Sequence, residues 1–300
     1  MPRLLVTGGA GFIGSHLVDA LVARGDAVVV LDDLSTGSID NLAGVRDQID
    51  LVHGSVQDRE AVRHLVQEVD AVCHLAAISS VQVSVREPER SEAVNVEGTR
   101  VVCEEASAAG KPVLFASSSA IYGDGPPGLR SESDEPRPAT PYARQKLTGE
   151  DIVRASGNGL SLRFFNVYGA RQNPASDYAA VIPKFLSACR EGRPLTIFGD
   201  GSQTRDFVHI SDVVRAMLAA LDKGVWTGEA LNIATGQAVS VLELGGLIQE
   251  ATGARVGENF APVRPGDVLH SCGDPRLAES KLGFRTRVDL KEGLRQMGSG

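Results

Sequence analysis

The chain has 300 residues, 42% of them hydrophobic, and a formal net charge of −8. That length suits one large domain, or a domain with a smaller lobe. The acidic balance excludes a general nucleic-acid binder, whose affinity would come from a basic face. No apolar run approaches a membrane span, and Met1 leads straight into a strand pattern, so a soluble cytoplasmic protein is expected. The four cysteines are far apart without metal-ligand spacing, and no metal site is expected.

In chain order, strands are expected at Leu4–Thr7, Ala27–Leu31, Asp50–His53, Ala71–Leu75, Val113–Ser117 and Ser161–Phe165. Helices fall around 12–24, 58–68, 90–109 and 141–155. Such β/α alternation predicts a Rossmann-type α/β fold, a doubly wound parallel sheet covered by helices on both faces. Beyond residue 168 proline-containing stretches interleave with helices near 212–222 and 240–252. The layout predicts a dinucleotide-binding domain over 1–167 and a smaller, interwoven C-terminal substrate lobe over 168–300, with some segments returning to the first domain. Cys73, in an apolar run, reads as a core residue, and His74 and His209 as structural. Within the terminal MGSG, Gly298 to Gly300 are given no structural weight.

The first strand runs into GGAGFIG, with Gly8, Gly11 and Gly14 at GxxGxxG spacing where a helix begins. Gly8 and Gly11 let the turn close and the backbone approach a pyrophosphate, and Gly14 lets the helix lie against the sheet. Phe12 and Ile13 complete this expected cofactor cradle. Asp32 ends the second strand, where a carboxylate can accept from adenosine ribose hydroxyls and would repel a 2′-phosphate. With no Arg or Lys close behind it, NAD is favoured over NADP.

Tyr142 and Lys146 stand at i, i+4 on one helical face, about 25 residues after a serine run that ends a strand. A lysine ammonium near a phenol lowers its pKa, so that Tyr142 could act as a general base on a hydroxyl. A serine hydroxyl on the other side can hold the same oxygen.

With TGGAGFIG, VVVLDDLSTG, HLAA, NVEGT, SSSAIYGD, YARQK, RFFNVYG, AVIPKF, GDGSQTRDFVHISDVV, LNIATG and RPGD in order, the sequence resembles the extended short-chain dehydrogenase/reductase family, in particular its nucleotide-sugar 4-epimerases. The resemblance runs almost end to end. It implies Tyr142 as base, Lys146 as its partner on the nicotinamide ribose, and Ser118 as the catalytic hydroxyl, with Ser119 beside it on the substrate. It places Leu75, Ala76 and Ala77 on the nicotinamide side and gives Asn95 the anchoring of the adjacent loop. Where the family often has an acid for adenine, this chain has Ser55, so that contact is weaker or falls to the Val56 backbone. For the substrate it implies Asn166, Arg205 and Arg264 on the phosphates, Asp267 on the ribose, and Ile182, Pro183 and Phe185 around the base.

The expected reaction is C4 epimerisation of a UDP-sugar through a 4-keto intermediate, with UDP-GlcNAc, UDP-GalNAc or UDP-glucose as substrate. Ser271 stands where the family's plain-hexose enzymes often carry a bulky Tyr, which would leave room for an acetamido group. A dehydratase is the rival, weakened because Ser119-Ala120 stands where the 4,6-dehydratases carry an Asp-Glu pair. A non-catalytic redox sensor is the remote alternative. Apolar residues in excess on the helices near 90–109 and 141–155 predict a homodimer, paired there as in the resembling family.

Overall fold

The computed structural model describes residues 1–172, 180–263 and 268–298. The first half alternates β1 (Arg3–Thr7), α1 (Phe12–Arg24), β2 (Ala27–Asp32), β3 (Ile49–His53), α2 (Arg59–Gln67) and β4 (Ala71–His74). Next come α3 (Val81–Arg86), α4 (Pro88–Glu92), α5 (Thr99–Ala108), β5 (Val113–Ser118), α6 (Pro141–Ala155) and β6 (Gly159–Phe164). These strands are apolar throughout because both faces are covered. Leu4 and Val6 point into the core beside α1, and Leu5 points into the core that takes Val62 and Val66 of α2.

The second half begins with β7 (Asn166–Tyr168), α7 (Val181–Arg190), β8 (Leu195–Phe198), β9 (Thr204–Arg205), β10 (Phe207–His209) and α8 (Ile210–Lys223). It ends with β11 (Ala230–Ile233), β12 (Val239–Ser240), α9 (Val241–Thr252), β13 (Glu258–Ala261), β14 (His270–Ser271), α10 (Arg276–Leu282) and α11 (Leu290–Gly298). No helix among the described residues is long and apolar enough to cross a membrane.

The main sheet is seven-stranded and parallel, in the order β11-β6-β5-β4-β1-β2-β3. The order reverses between β1 and β4, which opens a crevice at their carboxyl ends. Six of these strands match the sequence reading to within two residues at each end. The seventh, β11, was not foreseen. It adds to β6 from the second half of the chain, and α8 returns with it to pack on α1. A smaller core, with Tyr168, Ile182, Phe185, Ile197, Leu244 and Leu294, fills the C-terminal lobe.

Three further expectations are corrected. The helix expected over 90–109 breaks into α4, a π-helical turn over Ala93–Gly98, and α5. The proline-containing AVIPKF forms a helix, α7, because Pro183 falls in the first turn, where a missing N–H breaks no bond. Gly298, given no structural weight, is the last residue of α11. The apolar excess on α5 and α6 is also smaller than expected. None of their large hydrophobic side chains is exposed; Val101, Leu147 and Ile152 are half-buried against the two sheet cores.

Candidate active site

The cofactor crevice is shaped by what cannot fit in it. Gly8 adopts a φ of +70°, and a Cβ there would sit 2.7 Å from the Ala76 nitrogen. A Cβ on Gly14 would fall 2.1 Å from the Gly8 carbonyl oxygen, so only glycine lets α1 start this close to β1. Gly11 caps α1 in extended conformation with no side-chain acceptor, and the first turn, which opens with Phe12 and Ile13, holds no acid. The amide groups and the dipole of a 13-residue helix are left for an anion, which a dinucleotide pyrophosphate fits.

Asp32 is buried at the end of β2, and its two carboxylate oxygens each accept a 2.9 Å bond, from the Ala10 and Leu34 amides. It therefore fixes the glycine turn, and each oxygen keeps a lone pair for a ribose hydroxyl. Ser55 accepts from the Gln57 amide, and Val56 is buried beneath Gly98.

The turn after β4 is held from two sides. Thr7 Oγ1 accepts from the Leu75 and Ala76 amides, both at 3.2 Å, and bonds His74 Nδ1 at 2.7 Å. Two incoming N–H groups leave the Thr7 hydroxyl to donate, so Nδ1 is the acceptor and Nε2–H donates to Thr99 Oγ1 at 2.9 Å. Burial pushes the His74 imidazole down to about 3, which keeps it neutral. Beyond Ala77, Asn95 accepts from the Ile78 amide and donates to the Ile78 carbonyl and Gln145 Oε1. The π-helical turn places this side chain, buried, across the loop that Asn95 was expected to anchor.

The serine run at the end of β5 divides into three different environments. Ser117 is buried and donates to Glu150 at 2.5 Å. Ser118 accepts from the Ala120 amide and stands beside the Tyr142 phenol, whose pKa it lowers. Ser119 lines the open cavity beside them. Thr140 caps α6, Pro141 follows it, and the Tyr142 amide donates to Ser84 Oγ, so the position of the tyrosine is set by the helix start.

Lys146 lies one turn on, buried, its ammonium donating to the Ala116 carbonyl at 2.8 Å and lying over the Phe115 ring. Burial pushes it down to about 8, opposed by the Glu150 carboxylate. Here the structure departs from the sequence reading. The ammonium stands 6.0 Å from the centre of the Tyr142 ring, and burial raises the phenol while the Ser118 bond lowers it. The Lys146 ammonium is held by a backbone oxygen rather than by the phenol in this arrangement.

A cavity of about 330 Å³ opens over Ser118, Ser119 and Tyr142. Asn166, Arg205 and Ser271 line it as well, and β14 pairs with β9 so that Ser271 lies opposite Arg205. Between them in function stands Asp206, which the sequence reading missed. Its buried carboxylate accepts from the Thr235, Gly236 and Gly273 amides and ties the loops after β11 and β14 to the strand that follows Arg205. Arg130 and Tyr122, also missed, line the same cavity. Their signal in the sequence was slight, because only chain folding brings the loop after β5 against residue 272.

The three residues expected around the base do not line this cavity. Ile182, Pro183 and Phe185 are buried, and Ile182 and Phe185 belong to the lobe's core. Their spacing on α7 is the apolar stripe of an amphipathic helix packed on α9. Arg264 and Asp267 lie outside the described residues.

Residues 4–234 match the model of the NAD dependent epimerase/dehydratase family. The chain belongs to this family. It is 40% identical over 303 residues to a UDP-glucose 4-epimerase of Mycolicibacterium smegmatis, covering 97% of this chain and 96% of that protein. Among solved structures it resembles the UDP-glucose 4-epimerase of Thermotoga maritima with UDP-glucose, with a TM-score of 0.93 and 38% identity over 99% of this chain and 97% of that one. It also resembles a UDP-N-acetylglucosamine 4-epimerase of Methanobrevibacter ruminantium in complex with UDP-N-acetylmuramic acid. There the TM-score is 0.94 with 33% identity over 99% and 97% of the two chains. The chain is thus an NAD-dependent enzyme of the epimerase/dehydratase kind, and the glycine cradle fits that cofactor.

Proposed function

We propose that the protein inverts C4 of a UDP-hexose or UDP-N-acetylhexosamine through a 4-keto sugar. The observation that carries this reading is the cavity wall. Among the described residues its polar lining is hydroxyls, an amide, two guanidinium groups and the His270 imidazole, with Ser118 beside Tyr142 and no carboxylate. Bound NAD supplies the acceptor and donor of hydride at C4. Ser118 holds the sugar O4, Tyr142 takes its proton and later returns it, and Lys146, freed from Ala116, binds the nicotinamide ribose and faces the phenol. Gly8, Gly11, Gly14, Phe12 and Ile13 hold the pyrophosphate, Asp32 the adenosine ribose, and the Leu75–Ala77 turn the nicotinamide side.

On the substrate, Asn166 and Arg205 take the diphosphate and Ser271 faces the sugar's 2-substituent. A dehydratase would need an acid to protonate the leaving hydroxyl, and Ser119-Ala120 offers none. The second half of the reading is a homodimer through α5 and α6 in the cytoplasm, for which sedimentation showing only monomer at micromolar concentration would count as refutation.

The experiment is to incubate the protein with UDP-glucose and UDP-GlcNAc and examine products by mass and by chromatography. Unchanged mass with a new isomer supports epimerisation; loss of one water overturns it in favour of elimination. Tyr142→Phe should abolish turnover and leave NAD bound. Ser271→Tyr should lower kcat/KM for the N-acetyl sugar selectively, whereas equal losses on both sugars would remove Ser271 as the gate.

A further inference from the structure

Asp206 is the point at which two parts of the cavity wall are joined. The residue is fully buried between Arg205 and β10, and its backbone carbonyl accepts from the Asn166 amide at 2.9 Å. Oδ1 of its carboxylate accepts from the Thr235 amide at 2.9 Å and from the Thr235 hydroxyl at 2.6 Å. Oδ2 accepts from the Gly236 amide at 3.0 Å, the Gly273 amide at 3.2 Å and the Cys272 thiol at 3.6 Å. Burial pushes its pKa up, and the bonds from Thr235, Gly273 and Gly236 oppose that rise.

These donors come from different parts of the fold. Thr235 and Gly236 follow β11, the edge strand of the main sheet. In that sheet Ile233 pairs with Phe164 and Phe164 with Ser118, so the Thr235–Gly236 turn leaves the sheet just past the row that holds the serine. Cys272 and Gly273 follow β14, whose Ser271 lies opposite Arg205. Gly273 is seated so closely that an added Cβ would fall 2.5 Å from Ala234 Cβ and 2.5 Å from a ring carbon of Phe165, which lines the cavity. The carboxylate thus links the sheet that carries Ser118 to the strap that carries Ser271. Five donors converge on it, which suits an acceptor-only carboxylate and not a carboxamide.

We infer that Asp206 is a positioning residue for the reaction: its carboxylate fixes the sugar wall at Ser271 relative to Ser118 and Tyr142, so that C4 of a bound nucleotide sugar is presented to the phenol. This rests on the nucleotide-sugar reading above and deepens it by naming the group that registers substrate against base. Asp206 acts through the two turns that it holds. Arg205 and Asn166, the diphosphate ligands of that reading, are fixed instead by backbone pairing, of β9 with β12 and β14 and of β7 with β10. The Asp206 side chain takes no part in that pairing. Loosening the carboxylate therefore leaves the nucleotide held and misplaces the sugar, and a displacement of about 1 Å costs on the order of 100-fold in rate.

The test uses two variants of the NAD-loaded protein. Asp206→Asn keeps the shape but turns one acceptor into a donor that faces N–H groups, and Thr235→Val removes one donor and keeps the carboxylate. Turnover of UDP-glucose and UDP-GlcNAc, UDP affinity by titration calorimetry and NAD content are measured for each. Asp206→Asn should lower kcat about 10- to 100-fold, with UDP affinity and NAD content close to the parent's. Thr235→Val should lower kcat about 2- to 10-fold, the effect of one hydrogen bond. In the parent, amide exchange at Gly236 and Gly273 should be slow without substrate and unchanged by UDP-glucose, as for a wall formed in advance. A lower melting temperature with unchanged kcat in Asp206→Asn would make the residue structural only and overturn the inference. So would losses of UDP affinity as large as those in kcat, or parent exchange at both glycines that is fast until UDP-glucose binds. If Asp206→Asn does not fold, an unchanged kcat in Thr235→Val overturns the inference. A parent that neither binds UDP nor converts either sugar fails differently, since it removes the nucleotide-sugar reading and this inference with it.

Discussion

His74 shows how a single side chain beside the cofactor crevice couples pH to folding. It is fully buried, bonded through both ring nitrogens to Thr7 and Thr99, and stacked on Phe115. Its folded pKa is pushed down to about 3 by burial, and secondarily by the Lys146 charge, from an ordinary 6.5. Between those values the unfolded chain binds a proton that the folded one refuses, so stability falls as the pH drops through that window. The loss amounts to about 3 kcal/mol by pH 4. His74→Asn should lower stability at pH 7 through the lost threonine bonds, yet flatten the dependence between pH 6.5 and 4. Urea midpoints across that range check it, and parallel curves for parent and variant would show that other groups carry the acid sensitivity. The sequence placed this histidine in a strand and marked it as structural. Its neutrality was invisible there, because that depends on which threonines the sheet and the α5 start bring to its two nitrogens.

At the scale of elements, the end of the sheet under the cavity is joined by a buried ionic network. Arg163 of β6 donates through Nε and Nη2 to the two Glu150 oxygens of α6, at 2.9 and 2.8 Å, and through Nη1 to the Tyr122 hydroxyl. Tyr122 donates in turn to Asn232 of β11, and Ser117 of β5 to Glu150. Both charges are almost wholly buried, with side-chain exposures of 5% and 1%. Removing one partner therefore strands the other: Glu150→Leu or Arg163→Met alone should each cost about 3–5 kcal/mol. The double variant should cost far less than the sum, because no orphaned charge remains. Additive losses in urea unfolding would contradict this account. The sequence made the elements legible and left this network hidden. Apolar periodicity assigns a face to β6 and α6, but it does not say that Arg163 and Glu150 meet inside. The same limit explains the long helix expected over 90–109, where hydrophobic spacing looks continuous although the π turn over Ala93–Gly98 interrupts it.

For the whole molecule, the doubly wound core was readable from β/α alternation and a return of the chain to it was expected, but not which segment would return as a strand. The segment that becomes β11 is only four residues long and follows α8 in a half of the chain whose rhythm differs from the first. In the fold, Leu231 and Ile233 of β11 are buried, and Val213, Ala216, Met217 and Ala220 of α8 join the same core as Leu17 and Leu21 of α1. A chain ending at residue 167 would lose the edge strand on β6 and the helix that covers one face, exposing Leu160, Leu162 and the inner side of α1 to water. Each large apolar side chain uncovered in this way costs roughly 1.5–3 kcal/mol, and the sum over half a dozen such groups is as large as the whole stability of an ordinary domain. Residues 1–167 alone should therefore show no cooperative thermal transition and should bind an apolar dye, even though all five glycine-cradle residues and Tyr142 and Lys146 are present. A truncated chain with a sharp transition and retained NAD would show that the first 167 residues fold as an independent unit.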